Sequence, residues 1–128
     1  MAALETLMRW TVLFHQAFHP EFEALTSPVK QELLALLDQL SERGPQLGRP
    51  QADTLDGSKY ANMKELRFFA DDGVWRVAFA FDPARAGILL VAGDKSGVSQ
   101  SRFYKSLIRI ADKRFAEYLR SLENERIR

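Results

Sequence analysis

The side chains that could do chemistry in this 128-residue chain are lysines, arginines, tyrosines and carboxylates. Cysteine is absent, which removes disulfides, thiolate nucleophiles and Cys-type zinc sites. The two histidines, His15 and His19, are too few for a His-rich metal cluster, so no metal or other cofactor is expected. What remains is the chemistry of fixed positive charge and proton transfer, and its residues are unevenly placed. Residues 1–58 hold 4 Lys/Arg against 8 Asp/Glu (net −4), residues 59–114 hold 11 against 6 (net +5), and residues 115–128 hold 3 of each. A polyanionic partner is therefore expected along the middle and later part of the chain, although the overall charge is only +1. Arg67, Arg76 and Lys95 fall in that part, as do Lys59, Lys64, Arg102 and Lys105. The bland reading is that these cations solvate exposed faces.

The length suits one domain over residues 1–128 with one hydrophobic core, and 46% apolar with 27% charged residues is ordinary globular usage. No apolar run long enough to span a membrane and no leader pattern is present, so a cytoplasmic location without membrane attachment is expected.

The positioning elements follow from periodicity. Arg9 to His15 (RWTVLFH) is apolar and β-prone, with Pro20 expected to stop a continuous helix, leaving a short helical turn from Glu21 through Leu25. Ser27-Pro28 reads as an N-cap with proline at the first helical position. Val29, Leu33, Leu36, Leu37 and Leu40 then recur at helical spacing until Gly44-Pro45. Residues 44–62 show no periodicity and read as an extended connecting loop. Lys64–Phe69, Trp75–Asp82 and Gly87–Ala92, joined by short turn-forming segments, predict an antiparallel meander. In the middle strand Trp75, Val77, Phe79 and Phe81 share one face, predicted to pack on helices, and Arg76, Ala78 and Ala80 form a small, basic second face. From about Ser101 to Leu122 an apolar helical arc includes Phe103, Leu107, Ala111 and Phe115, with Arg102, Lys105, Arg109, Lys113 and Arg120 on the opposite stripe.

Within this order lie LGRP at Leu47–Pro50, GSKYANMKELR at Gly57–Arg67, WRVAFAFD at Trp75–Asp82, ILLVAGDK at Ile88–Lys95 and RFYKSLIRIAD at Arg102–Asp112. Taken together, these segments resemble the HigB-like toxins of the RelE/ParE superfamily. The resemblance implies an α+β fold, a compact twisted antiparallel sheet packed against N-terminal helices and a C-terminal helix. It also implies the toxin component of a type II toxin–antitoxin system: a metal-independent mRNA endoribonuclease, ribosome-dependent or free, that inhibits translation. The implied partners are a cognate helix-turn-helix antitoxin, mRNA, and operator DNA only through the antitoxin. The ParE-like members of the superfamily imply an alternative, a non-nucleolytic toxin acting on DNA gyrase, and a degenerate interaction module is a third.

Cleaving RNA without a metal requires taking a proton from a ribose 2′-hydroxyl, stabilising the charged transition state and protonating the leaving 5′-oxygen. The resemblance assigns catalysis to Arg76, Arg67, Lys95 and Tyr104 and substrate binding to the basic strand that holds Lys64, while Lys59 on the loop and Arg102 and Lys105 on the basic stripe of the last helix are further RNA-binding candidates. Arg76 is expected to hold the scissile phosphate, the alternative being an ion pair with Asp71 or Asp72. Period two puts Arg67 and Glu65 on one face and Lys64 on the other. Glu65 stands where related chains often carry lysine, and would repel phosphate unless it acts as a base. Asp94 matches an acidic neighbour of Lys95. Tyr104 lies within the apolar arc and reads equally as a core aromatic with its hydroxyl at the rim. Lys59 and Tyr60 could clamp a base or form ordinary loop surface. Clustering of Arg67, Arg76, Lys95 and Tyr104 would favour RNA cleavage, and dispersal would favour a protein-binding toxin.

Overall fold

The computed structural model describes residues 9–127. Their order is β1 (Thr11–Phe14), α1 (Phe18–Glu23), α2 (Ser27–Arg43), a 3-10 turn (Gly44–Gln46), β2 (Ala52–Thr54), β3 (Lys64–Ala70), β4 (Gly73–Phe81), β5 (Ala86–Asp94) and α3 (Gln100–Ile127). The five strands form one sheet in the order β1-β5-β4-β3-β2. The architecture is the α+β arrangement expected, with the β3-β4-β5 meander antiparallel throughout. The sheet is antiparallel except at one edge, where β1 returns beside β5 in parallel.

Both faces of the sheet are covered. Period two sends Trp75, Val77, Phe79 and Phe81 to the side of α1 and α2, where they meet Phe18, Phe22, Val29, Leu33, Leu36 and Leu40. Ala78 and Ala80 face the other way, against Phe103, Leu107, Ala111 and Phe115 of α3. The small second face is thus a helix seat: alanine lets α3 approach the sheet, and bare Gly93 on β5 leaves room for the Phe103 ring, which an added Cβ would meet at 2.8 Å. The basic residue of that face, Arg76, lies toward the end of the sheet where α3 begins.

Local departures have simple causes. Pro20 sits in the first turn of α1 rather than ending a helix, because the first N–H groups of a helix have no carbonyl partner to lose. Thr26, not Ser27, occupies the N-cap position of α2, and its hydroxyl donates to Asp71 Oδ2 across the molecule at 2.9 Å instead of capping. Gly44 closes α2 with φ +57°, a conformation that also seats it against the Trp10 indole. The loop over residues 44–62 contains β2, whose three residues are too few to show alternation and which is held by pairing with Leu66, Glu65 and Lys64. Asp71 and Asp72, at φ 51° and 60°, make the two-residue β3-β4 hairpin with both central residues left-handed, as a type I′ turn requires.

Candidate active site

The site grows from the cross-strand row that pairs Arg67 of β3 with Arg76 of β4 and Arg76 with Gly93 of β5. All three residues face the α3 side of the sheet. One turn into α3, Tyr104 reaches back over this row. Its hydroxyl donates to Glu65 Oε1 at 2.8 Å and accepts from Arg76 Nε at 3.2 Å. The other Glu65 oxygen accepts from Arg67 Nη1 at 3.1 Å, and Arg76 Nη1 donates to the Trp75 carbonyl at 3.0 Å. Glu65 and Arg76 are each only 4% exposed, so they form a buried pair, with Arg76 Nε 3.7 Å from Glu65 Oε1. Arg67 retains 28% of its side-chain surface and is the more accessible arginine.

Lys95 arrives from the β5 end. The Asp94 carboxylate accepts from the Val74 N–H, the Ser96 N–H and the Ser96 hydroxyl, and the Lys95 N–H donates to the Val74 carbonyl. This tethers the turn to the start of β4 and brings Lys95 Nζ to 5.9 Å from the centre of the Tyr104 ring. Desolvation, then the charges of Arg76 and Arg67, hold the Lys95 ammonium below the ordinary lysine range, with Glu65 opposing. Desolvation, followed by the hydrogen bond to Glu65, pushes the Tyr104 phenol up. Tyr104 is thus a neutral donor near pH 7, and Lys95 is a cation that gives up its proton more readily than a free lysine.

Two recesses open on this cluster. One, of about 580 Å³, is lined by Glu65, Arg67 and Tyr104 together with Arg49, Asp53 and the first residues of α3. The other, of about 390 Å³, is lined by Arg67, Arg76, Arg49, Pro50, Phe68 and Phe69. Arg49 and Arg67 border both. Arg49 is exposed and forked onto Asp53 Oδ2 at 2.9 and 2.7 Å.

The structure therefore brings Arg67, Arg76, Lys95 and Tyr104 together, with Glu65 at their centre. Arg76 pairs with Glu65 and not with Asp71 or Asp72, because the hairpin turns those two carboxylates away and strand pairing sets Arg76 opposite Arg67. The predicted phosphate holder is the more deeply buried arginine and Arg67 the more open one. Tyr104 meets both sequence readings, its ring edge-on to Phe103 and its hydroxyl in the cluster.

The predicted binding residues are more scattered. Lys64 lies on the opposite face, its Nζ donating to the Pro45 carbonyl at 2.9 Å. Lys59 is exposed on a loop anchored by Asp112, whose carboxylate accepts from the Ser58 hydroxyl and the Lys59 N–H, while Tyr60 packs edge-on against Phe115. Arg102 borders a separate shallow recess with Gly93, Val98 and Phe103, and Lys105 is exposed along α3. Two residues were not singled out as site members from sequence: Glu65, whose carboxylate looked hostile to phosphate until its two arginine partners were in view, and Arg49, which the LGRP segment displayed without indicating what it faced. Among the described residues no group of three or more His, Asp or Glu is arranged to hold a metal ion, and no helix is long and apolar enough to cross a membrane.

Residues 20–116 match the model of the phage-derived Gp49-like protein family. Two Mycobacterium tuberculosis proteins described as candidate toxins are 44% identical to the chain. HigB2 is similar over 93 residues, 72% of this chain and 46% of its own length, and HigB3 over 100 residues, 78% of this chain and 85% of its own. The chain thus spans about half the length of the first relative and most of the second. The free-state structure of a doubly arginine-substituted E. coli toxin RelE superposes with a TM-score of 0.56 at 15% identity, covering 79% of this chain and 95% of that one. At that identity the likeness is one of fold.

Proposed function

The chain belongs to the Gp49-like family as a HigB-like toxin of the RelE superfamily, and from that premise we propose that it is a metal-independent mRNA endoribonuclease, acting on translated messages and neutralised by a cognate helix-turn-helix antitoxin. The observation that carries this reading is the convergence of Arg67, Arg76, Lys95 and Tyr104, from two adjacent strands, a turn and a helix, on one half-buried cluster. A protein-binding toxin has no need of such an arrangement. A phosphodiester-cleaving site does, because its catalysis is largely preorganised positive charge plus two proton transfers.

In the proposed reaction the ribose 2′-oxygen attacks phosphorus, the bond from phosphorus to the 5′-oxygen breaks, and the products are a 2′,3′-cyclic phosphate and a 5′-hydroxyl. The 2′-hydroxyl proton passes to the Tyr104 oxygen while the phenol proton passes to Glu65, a relay that never accumulates a phenolate. Arg67 and Arg76 carry the charge that develops on the phosphate oxygens. Lys95 protonates the leaving 5′-oxygen, a role suited to its lowered pKa. In this scheme Glu65 both holds the two arginines and accepts the proton, which is why a carboxylate can stand in an otherwise cationic site.

The test is induced expression without antitoxin, with mapping of new mRNA 5′ ends, for wild type, Arg67→Ala, Lys95→Ala and Arg76→Lys. Growth arrest with cuts in translated frames that fall at least tenfold in the variants is expected. Arrest with intact mRNA overturns the reading and moves DNA gyrase to the front; no arrest by any form points to a degenerate module.

A further inference from the structure

We propose that Phe69 is a stacking platform for a nucleobase of the bound single-stranded RNA, seated beside the arginine-lined recess. This rests on the ribonuclease reading and adds a substrate-binding subsite to it. Phe69 is the last aromatic of β3, and 75% of its surface is exposed. Its neighbour Phe68 turns into the core and stacks on Trp75, with ring centres 6.4 Å apart and planes 9° from parallel. Strand alternation therefore puts Phe69 on the face of Glu65 and Arg67.

A single exposed apolar side chain is ordinary on a protein surface. This one borders the recess that also contains Arg49, Arg67 and Arg76. Phe69 lies two steps of strand beyond Arg67, about 7 Å along the chain, comparable to the distance between a base and its own phosphate within one nucleotide. An aromatic face next to a line of guanidinium groups is the pairing that single-stranded nucleic acid recognises, rings taking the bases and cations the backbone. The β3-β4 hairpin with its two left-handed residues, and the Thr26 hydroxyl bonded to Asp71, hold this strand end in place, so Phe69 is presented rigidly. Because every base has a π-face, the contact would hold a nucleotide in register with little preference for its identity.

The test uses the full chain and an RNA oligonucleotide made uncleavable by 2′-O-methylation, free and in programmed ribosomes. Affinity is measured for wild type, Phe69→Ala, Phe69→Leu, Phe69→Trp and Arg67→Ala, and again with single abasic positions scanned along the RNA. Phe69→Ala and Phe69→Leu should each weaken binding by about 5- to 150-fold, Phe69→Trp should retain it, and one abasic position should erase the difference between wild type and Phe69→Ala. Binding lost in Arg67→Ala but unchanged in Phe69→Ala overturns the stacking proposal while leaving the ribonuclease reading intact. Phe69→Leu binding as well as wild type, or Phe69→Ala weakening only the complex with antitoxin, also overturns it and makes Phe69 a protein contact. Failure of wild type to bind RNA in either setting overturns both readings.

Discussion

Replacing Glu65 by glutamine tests the electrostatic account of the site most directly. The substitution keeps the side chain's shape and an acceptor for the Tyr104 hydroxyl, and removes one negative charge. Arg76, 4% exposed, is left with the Trp75 carbonyl and the Tyr104 oxygen as its hydrogen-bond acceptors and no counter-charge within reach. Stripping one partner from a buried pair costs about 3–5 kcal/mol, and the two acceptors that Arg76 retains place the cost near the lower end, about 3 kcal/mol. Unfolding entropies of about 2.1 cal/mol/K per residue convert this, over 128 residues, to a Tm lower by about 11 °C. Thermal unfolding at pH 7 reads it directly. The double variant Glu65→Leu with Arg76→Met removes both charges and should recover at least half of the loss, since an apolar pair of similar volume carries no desolvation penalty. A Glu65→Gln protein within about 3 °C of wild type, or a double variant less stable than both single ones, refutes the claim that Glu65 is the counter-charge of a buried Arg76. The result also decides how activity data are read, because an Arg76→Ala protein that cuts no RNA could simply be unfolded, whereas Arg67→Ala removes a partly exposed side chain.

Four further outcomes are expected. Tyr104→Phe should lose about 10²- to 10⁴-fold in the rate of mRNA cleavage and cost about 1–3 kcal/mol in denaturant unfolding, since it removes the hydroxyl of the proposed relay, a partner of buried Glu65 and Arg76, and leaves the ring in place. In the proposed reaction Lys95, with its lowered pKa, is the acid, so cleavage should fall on the alkaline side at a pH below the ordinary lysine range; in Lys95→Arg that limb should disappear from the pH–rate profile, and an unchanged limb assigns the proton elsewhere. His15 is buried with its pKa lowered by desolvation and then by Arg114, so the unfolded chain binds the extra proton. Its stability contribution is complete above about pH 6.5 and is lost as pH falls through the lower folded value; His15→Gln should flatten the difference in Tm between pH 8 and pH 5. Gly93→Ala drives a Cβ to 2.8 Å from the Phe103 ring, so it should cost about 1–3 kcal/mol and reduce cleavage by displacing the start of α3 and Tyr104 with it, a coupled loss that chemical denaturation and 5′-end mapping can follow together.

Much of this was legible from residue order. The period-two strand around Trp75, the helical repeat from Val29 to Leu40 and the left-handed Gly44 are local devices, and each appears where spacing puts it. The N-cap expected at Ser27 falls one residue earlier, at Thr26, whose hydroxyl bonds a distant carboxylate, and β2 was missed because three residues of strand are specified by their partner and not by themselves. What the small face of β4 receives was unreadable for a related reason: Ala78 and Ala80 seat a helix that begins only at Gln100.

The sequence by itself determined the inventory: charged side chains without cysteine, an antiparallel meander bounded by turns, an amphipathic last helix, and a set of lysines, arginines and a tyrosine. Which of those cations act together was decided only by tertiary structure. Strand register placed Arg67 against Arg76, the start of α3 carried Tyr104 over them, and Asp94 drew Lys95 inward, while the same alternation sent Lys64 to the far face. The charge of Glu65 also changed meaning on folding. In the chain it is one acid among basic residues. In the structure, burial removes the water that would screen it, so its two arginines and the tyrosine hydroxyl become obligatory partners, and the pairing that makes burial tolerable is the one that organises the site.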